Sequence, residues 1–394
     1  MICPEIRRAA FGRAIAILLQ EAANPMSMNF DMSPMLVIWE TTQACDLSCA
    51  HCRASAQPLR NPDELTTGQA RALLEEVKRF GSPLMVFTGG DPLKRPDLFE
   101  LMEYSASLGL RTNVSPSATP LLTPEAVRRF KTCGLARMAV SVDGPDAETH
   151  DSFRGVDGSF DRAMVALREA QRIGLETQVQ TTITRRNMNK IRAMADMVEQ
   201  VGGRMWSLFF LVVTGRALAH DDLTPEEYEQ VFEALYQVSL TSSYDVKTTE
   251  AMHYRRYVAQ RLKQDARSES ASRSKVMYRT AGVSDGKGFV FVSHTGEICP
   301  SGFLPISAGN VLRDSLVDVY RNSALFRSLR DMDRREGKCG LCEYRNICGG
   351  SRSRAYACTG NYLAEDPRCT YQPGHTKEGG CGNRECASVV CSNN

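Results

Sequence analysis

Residues 42–53 read TQACDLSCAHCR, and the spacing of their three cysteines decides the class of this chain. Cys45, Cys49 and Cys52 are separated by three and by two residues, and they follow an apolar run that predicts a strand. A structural zinc site takes four ligands, as does a fully ligated iron–sulfur cluster. Three thiolates on one loop therefore predict a catalytic metal centre with one open position, where a cofactor or substrate can bind.

Around this loop, short apolar runs alternate with amphipathic helical stretches from residue 35 to about residue 213. Six strand–helix units in a row favour a parallel α/β sheet curled into a partial barrel, a (β/α)6 TIM-like fold. In such sheets the active site lies at the carboxyl ends of the strands. The predicted strands span residues 36–39, 84–87, 110–114, 138–142, 175–183 and 207–212, with helices between them that include 67–80, 124–133, 160–173 and 188–201.

The chain has fourteen cysteines, which are sparse over most of its length and bunched near residue 50 and after residue 338. In a short secreted chain they would indicate disulfides, but in a long chain such bunching is typical of metal ligands in a reduced compartment. The net charge of +2 gives no electrostatic reason to expect nucleic acid or a membrane surface as partner. No apolar run approaches the roughly 18 residues of a membrane span. We therefore expect a cytoplasmic protein with neither kind of partner.

The chain has 394 residues, enough for a main domain and an appended one. Its first residues carry a short apolar run after three arginines, which resembles a signal peptide but is interpreted as an extension. Beyond the barrel, the pattern predicts two helices, a β-hairpin turning at Gly296 and one helix over 316–330. The expected segments are an N-terminal extension at 1–34, the barrel at 35–215, a helical linker at 216–285, a small C-terminal domain at 286–373 and a disordered tail at 374–394.

A second cysteine group lies in this C-terminal domain. Cys339, Cys342 and Cys348 are closely spaced, and Cys369 follows. Four thiolates in a compact segment can saturate either a zinc ion or a [4Fe–4S] cluster. Their spacing alone leaves both possibilities open.

The first cysteine motif resembles the signature of the radical S-adenosylmethionine (radical SAM) superfamily. In that family three cysteines hold a [4Fe–4S] cluster whose open iron binds the cofactor S-adenosylmethionine, and one electron then generates a 5′-deoxyadenosyl radical. The resemblance implies a one-electron donor such as flavodoxin or ferredoxin. It also implies that the ring of His51 packs against the adenine.

Other segments resemble the family's cofactor-binding positions. Gly89-Gly90-Asp91-Pro92 ends the second predicted strand and is similar to the Gly-Gly-Glu-Pro motif, with Asp in place of Glu. Two glycines allow backbone groups to approach a ligand closely, here the methionine amine. The polar residues at later strand ends are further candidates for cofactor contacts, although a strand-end Asp is also typical of a helix cap. They are Ser141, Asp143, Thr181 and Arg185.

After a radical SAM barrel, the second cysteine group resembles a SPASM/twitch domain, which carries auxiliary clusters. Cys339, Cys342, Cys348 and Cys369 match the ligands of one auxiliary [4Fe–4S] cluster. The ligand set of a second cluster is incomplete, since Ser351 stands where a cysteine is expected and only Cys299 lies in the hairpin. The resemblance therefore implies one auxiliary cluster, and Cys299 is left as a residue that could face the substrate.

Several short motifs resemble one subgroup, the heme b synthases of the siroheme-dependent heme pathway and their relatives in heme d biosynthesis. The subgroup's chemistry implies oxidative decarboxylation of tetrapyrrole propionates, with the auxiliary cluster taking the remaining electron. Arg154 and Arg216 are then candidate clamps for substrate carboxylates. The motifs are residues 39–42, 51–54, 154–155, 213–216, 296–298, 309–311 and 342–345.

Two alternatives stay open. The same architecture serves enzymes that modify ribosomal peptides, but these often carry an N-terminal winged-helix domain, and 34 residues are too few for one. This favours a small tetrapyrrole substrate over a peptide. The non-enzymatic alternative is a scaffold or redox protein stabilised by zinc or by clusters.

Overall fold

A computed structural model describes residues 29–265 and 282–374. Most of the predicted extension, residues 266–281 of the predicted linker and nearly all of the predicted tail lie outside these residues. The strands of the barrel are β1 Leu36–Glu40, β2 Leu84–Thr88, β3 Arg111–Val114, β4 Arg137–Ser141, β5 Thr177–Ile183, β6 Met205–Phe210 and β7 Asp245–Thr249. Three strands follow, β8 Phe289–Val292, β9 Glu297–Cys299 and β10 Gly309–Asn310.

Helices alternate with these strands and cover the outer face of the sheet. The first group is α1 Thr67–Lys78, α2 Leu98–Ser107, α3 Pro124–Thr132, α4 Ala147–Arg154, α5 Ser159–Arg172 and α6 Ile191–Gln200. The second group is α7 Pro225–Thr241, α8 His253–Asp265, α9 Leu316–Asn322, α10 Ala324–Arg330, α11 Gly337–Leu341 and α12 Arg352–Thr359. None of these helices combines the length and the hydropathy needed to cross a bilayer, a finding restricted to the described residues.

All ten strands of the described chain form one sheet, in the order β10-β9-β8-β1-β2-β3-β4-β5-β6-β7. The pairs from β1 to β7 are parallel, and the six predicted strands are all present. β8 also pairs in parallel with β1, while β9 and β10 add antiparallel strands beyond it. The expectation of a parallel α/β partial barrel is confirmed.

The seventh strand, β7, lies in the segment predicted to be a helical linker, so that prediction missed a strand. Only Val246 of this strand packs into the main core, while Asp245, Lys247 and Thr249 point to the other face and keep partial exposure. A strand with polar residues on one face has no apolar run to reveal it. The barrel therefore has one strand more than predicted.

The inner face of the barrel lines an open lumen. On β5, Val179 and Ile183 are fully buried under the helices, whereas Gln178, Gln180 and Thr182 on the opposite face keep partial exposure. The sheet curls until its two sides approach each other, because the Lys247 ammonium of β7 lies 5.9 Å from the Phe289 ring centre on β8. Solvent thus reaches a polar lumen between these strands.

The C-terminal segment differs from prediction in one element. Two helices, α9 and α10, replace the single predicted helix over 316–330. Ser323 causes the break, because its backbone is extended and its hydroxyl accepts a hydrogen bond from the Phe326 N–H at 3.4 Å. A serine with this geometry caps a new helix instead of continuing the old one. The predicted hairpin is present as β8 and β9.

A buried carboxyl pair joins the barrel to the C-terminal segment. Glu250, directly after β7, and Asp285 are 2% and 1% exposed, and their side chains share a hydrogen bond. The Ser351 hydroxyl donates to Glu250, and the Ser353 hydroxyl donates to Asp285 at 3.0 Å. Burial, followed by the negative charge of Asp285, raises the pKa of Glu250 well above its usual value.

Glu250→Gln is expected to flatten the pH dependence of stability. The folded chain keeps a proton on Glu250 above pH 4.5, where the unfolded chain releases it, so the stability of the wild type falls as pH rises through this window. Each unit of pKa difference corresponds to about 1.4 kcal/mol. Chemical denaturation between pH 5 and 8 measures the slope, with the surface change Glu100→Gln as the control. Equal slopes in Glu250→Gln and wild type would contradict the protonated pair.

Candidate active site at the mouth of the barrel

The three-cysteine loop starts where β1 ends, at the carboxyl edge of the sheet. Each of its three sulfur atoms accepts one N–H. Cys45 accepts from the backbone of Leu47 at 3.4 Å, and Cys52 accepts from the backbone of Ala56 at 3.4 Å. Cys49 accepts from the guanidinium of Arg154 at 3.6 Å. Such donors stabilise the negative charge of cluster-bound thiolates, so the loop fits the predicted cluster.

Burial keeps the thiols of Cys45 and Cys49 protonated when no metal is bound. Cys45 and Cys49 are only 6% and 7% exposed. Burial raises the pKa of the Cys45 thiol to about 11, against the opposing effect of the Leu47 N–H. Burial also raises the pKa of Cys49, although Arg154 acts in the opposite direction. Metal binding must release these protons, and the metal-free thiols have little thiolate character.

The Gly-Gly-Asp-Pro turn supports the cysteine loop directly. The Gly90 N–H donates to the Thr42 carbonyl at 2.8 Å, and the Asp91 N–H donates to the Ala44 carbonyl at 2.7 Å. A Cβ atom on Gly90 would lie 2.4 Å from the Ala44 oxygen, so no larger residue fits. Besides their predicted role at the cofactor, these glycines thus allow two loops to touch.

Asp91 and Pro92 shape the same turn. The buried Asp91 carboxylate accepts from the Thr119 hydroxyl at 2.6 Å and from the Leu93 N–H at 3.1 Å. Burial raises its pKa to about 6 despite these donors. Pro92 begins a 3-10 turn at Pro92–Lys94 that Asp91 caps. Their contact with the cofactor stays a prediction.

A further contact to the cysteine loop comes from the segment after β6, which sequence reasoning had not assigned to this task. The Arg216 guanidinium donates to the carbonyls of Cys49 and Ala56 at 3.0 and 3.1 Å. Gly215 has a φ of +62°, and a Cβ there would lie 2.3 Å from the Cys52 oxygen. The recurring motif at 213–216 was the only sequence signal for it.

Gly215→Ala is expected to lower both the melting temperature and the iron content. The left-handed backbone alone costs about 1–2 kcal/mol for a residue with a Cβ, and the clash with the Cys52 carbonyl adds to this cost. Gly360→Ala is a matched control, because Gly360 has a φ of +73° but no atom within 4 Å of its Cβ position. Thermal unfolding and iron analysis give the comparison. Equal iron loss in both variants would contradict the role of Gly215 at the loop.

Arg154 links the cysteine loop to the end of β4. Its guanidinium pairs with the fully buried Asp143 at 2.5 Å as well as with Cys49. Burial raises the pKa of Asp143, although Arg154 opposes this effect. Arg154 and Arg216 were predicted as clamps for substrate carboxylates. Most of their donors are engaged by the loop and by Asp143, so a carboxylate clamp would have to use the nitrogens that remain.

The His51 ring lies in the same group, stacked on the Phe153 ring with 4.3 Å between their centres. Burial, followed by the charges of Arg154 and Arg216, holds the pKa of His51 well below its usual value. The ring is therefore neutral at pH 7. Its Nδ1 has no hydrogen-bond partner among the described residues, and its packing against adenine stays a prediction.

The remaining predicted cofactor residues are dispersed. Ser141 ends β4 on the face of the lumen. Thr181 faces the opposite way, since its hydroxyl donates to the Val142 carbonyl and accepts from the Trp206 indole at 2.9 Å. Arg185 is 45% exposed and pairs with Glu227 on α7 at 3.3 Å. Thr181 and Arg185 thus have structural partners here, and their contact with the cofactor stays a prediction.

The second cysteine group lines one shared pocket. Cys339, Cys342, Cys348 and Cys369 all face it, which the spacing of Cys369 alone did not establish. Each of their sulfurs accepts a backbone N–H. Three basic side chains, Arg256, Lys338 and Arg345, complete the wall and suit a site of four thiolates. The residues present thus fit an auxiliary cluster.

No group of three or more His, Cys, Asp or Glu side chains in the described residues is arranged to hold a metal ion. A zinc ion needs such convergence, because its ligands share one centre. A [4Fe–4S] cluster does not need it, because each thiolate binds a different iron atom. The identity of the metal at the second cysteine group therefore stays a prediction.

Cys299 lies apart from this pocket, on β9. It is 7% exposed, and burial raises the pKa of its thiol to about 12. Near it, Arg53 of the cysteine motif pairs with Glu40 at 2.6 Å and donates to the Gly302 carbonyl at 3.1 Å. The hairpin is thus attached to the first cysteine loop. A contact between Cys299 and substrate stays a prediction.

Comparison with known proteins identifies the family. Residues 39–198 match the model of the radical SAM superfamily. The AdoMet-dependent heme synthase of Methanosarcina barkeri is 39% identical over 87% of this chain and 98% of its own length. The chain belongs to the radical SAM superfamily. It is accordingly an enzyme that uses a [4Fe–4S] cluster and S-adenosylmethionine, as its cysteine motif predicted.

Further relatives of this radical SAM enzyme include the AdoMet-dependent heme synthase of Nitratidesulfovibrio vulgaris, 41% identical over 86% of this chain and 92% of the relative. The mycofactocin maturase MftC of Mycobacterium tuberculosis is 30% identical over 88% of this chain and 84% of the relative. Among solved structures, Streptococcus suis SuiB bound to S-adenosylmethionine aligns with a TM-score of 0.67 at 16% identity, covering 86% of this chain and 78% of SuiB. At that identity the likeness shows the fold alone.

Proposed function

We propose that this radical SAM enzyme is a heme synthase that converts two propionate side chains of an iron-coproporphyrin into vinyl groups. The observation that carries the proposal is the 39–41% identity to proteins named AdoMet-dependent heme synthase over nearly their whole length. Two further relatives, named Fe-coproporphyrin III synthase and pre-heme d1 synthase, are 30% and 27% identical, and their names also refer to tetrapyrroles.

When bound, the cluster and S-adenosylmethionine supply the radical that removes a hydrogen atom from the propionate. The chain's residues hold this chemistry in place. Cys45, Cys49 and Cys52 would ligate the cluster at the barrel mouth, where the N–H donors described above favour their thiolate forms. Gly89 and Gly90 let their turn pack against the cysteine loop, next to which the cofactor would bind.

The second step, loss of carbon dioxide from the propionate radical, releases one electron that needs an acceptor. After the hydrogen atom is removed, each propionate loses carbon dioxide and one electron to become a vinyl group. Cys339, Cys342, Cys348 and Cys369 would hold the auxiliary cluster that accepts this electron. The basic residues of the pocket wall, such as Arg256 and Lys338, stabilise added negative charge there.

The direct test is mass spectrometry of iron-coproporphyrin III incubated anaerobically with the reconstituted, reduced enzyme and S-adenosylmethionine. Loss of two carboxyl groups, each as carbon dioxide with two hydrogens, is the expected result. Formation of 5′-deoxyadenosine without any change in the porphyrin would contradict the proposal. It would favour the peptide-modifying alternative, which the identity to the mycofactocin maturases supports.

The proposal includes a one-electron donor such as flavodoxin or ferredoxin, which the first cluster needs in order to be reduced. It also includes a cytoplasmic location, because bunched cysteines that ligate metal in a long chain are typical of a reduced compartment. Both parts are tested by pull-down and fractionation in the source organism.

A further inference from the structure

Lys247 lies inside the barrel and has no role in the mechanism proposed above. Lys247 of β7 is in register with Ser207 of β6, which aligns with Gln180 of β5 and through it with Ser141 of β4. This row faces the lumen, since its members keep partial exposure or carry polar groups while their strand neighbours are buried in the helix-covered core. The lysine side chain therefore starts from the inner wall, level with the end of β4.

The ammonium of Lys247 has no counter-charge. No described residue forms an ion pair or hydrogen bond with it, and its recorded contact is the Phe289 ring, whose centre is 5.9 Å away. The charged groups that act on it are Arg255 and Arg137, both positive. Arg137 is paired with Glu176 at 2.8 Å, which leaves this carboxylate engaged. A partly buried cation in such surroundings is poorly stabilised until an anion joins it.

Burial, followed by these two positive neighbours, lowers the pKa of Lys247 to about 8. An anionic ligand beside it would reverse the effect, because an opposite charge favours the protonated form. Holding the charged form of Lys247 in the lumen thus costs free energy, which a negatively charged ligand beside it would offset.

Aromatic side chains line other parts of the same lumen. Phe209 of β6 lies 6.2 Å from the Phe303 ring, and Phe289 and Phe291 are on the inner face of β8. Flat rings bury large apolar area against such side chains. Aromatic walls together with the unpaired Lys247 ammonium suit a planar, apolar ring system that carries carboxylates.

We propose that Lys247 binds a carboxylate of the substrate inside the barrel and so positions the ring system beneath the cysteine loop. This inference rests on the proposed function, because an iron-coproporphyrin supplies both the flat ring and the carboxylates. Lys247 is a positioning residue, since the reaction takes place at the carboxyl edge of the sheet.

The test compares Lys247→Met, Lys247→Arg and the control Lys131→Met in the cluster-loaded enzyme. Lys131 is exposed on α3, on the outer side of the barrel. Binding of iron-coproporphyrin III is measured by absorbance titration without reductant. We expect Lys247→Met to raise Kd about 30-fold or more, the range for losing one partner of a desolvated charge pair, and Lys247→Arg to raise it less. Lys131→Met should match the wild type.

Two further measurements separate the possible failures. The tetramethyl ester of the same porphyrin has no carboxylates and should bind wild type and Lys247→Met equally. Melting temperature and iron content should agree among the variants, so that a change in Kd reports the lost charge. If wild type binds the porphyrin and Lys247→Met binds it with the same Kd, the inference about Lys247 is wrong and the proposed function still stands. Wild type that does not bind the porphyrin overturns the proposed function, and the inference with it.

Discussion

Cys49→Ala is expected to abolish cleavage of S-adenosylmethionine by the reduced enzyme. Two thiolates on the loop cannot hold a three-ligand cluster, and Arg154 loses the sulfur to which it donates. The fall in 5′-deoxyadenosine formation should exceed about 100-fold, which is the upper range for losing only an outer partner of a metal ligand. Iron per chain should drop from about eight atoms to about four, because the auxiliary site is untouched.

Cys133→Ala is the matched control for this variant. Cys133 is a buried thiol at the end of α3, and its sulfur contacts Glu103 at 3.4 Å. It lies outside both cysteine groups, so iron content and cofactor cleavage should stay at wild-type values. Full activity in Cys49→Ala would show that the first cluster is held by other residues.

Cys348→Ala is expected to separate the two halves of the reaction. Cleavage of S-adenosylmethionine should continue, since the first cysteine loop is intact, while formation of vinyl groups should fall by about 100-fold or more. The physical reason is that the substrate radical has lost its electron acceptor. Chromatography of 5′-deoxyadenosine and mass spectrometry of the porphyrin measure the two rates in the same sample.

Cys299→Ala serves as the control for iron content, because Cys299 is not among the residues that line the auxiliary pocket. Its iron should equal that of wild type, whereas Cys348→Ala should lose about four atoms. If Cys348→Ala decarboxylated the porphyrin at the wild-type rate, the auxiliary site would have no part in electron transfer.

The sequence predicted those elements whose signal is local. The strands β1 to β6 show as apolar runs, and the cysteine spacing marks both candidate metal sites without any structure. β7 escaped notice because a strand that faces a polar lumen alternates charged and apolar residues over only five positions. The break at Ser323 depended on a backbone angle that a helical periodicity does not reveal.

The supports of the cysteine loop were harder to predict, because they depend on contacts between distant segments. Gly215 and Arg216 follow β6, more than 150 residues after the loop they touch. The position of Lys247 in the lumen could not be predicted either, because it depends on the curl of the sheet that brings Lys247 close to Phe289. A lone lysine in an unrecognised strand gives no sequence signal.

The pairing of β1 with β8 has a consequence for how the enzyme is made. β1 leads directly into the cysteine loop, yet one of its two neighbours in the sheet is synthesised about 250 residues later, and contacts so distant in sequence form slowly. On the ribosome, β1 therefore lacks one of its two neighbouring strands until β8, at the start of the last quarter of the chain, has emerged. We expect cluster insertion to follow release of the finished polypeptide, so truncated nascent chains ending before residue 289 should not retain iron.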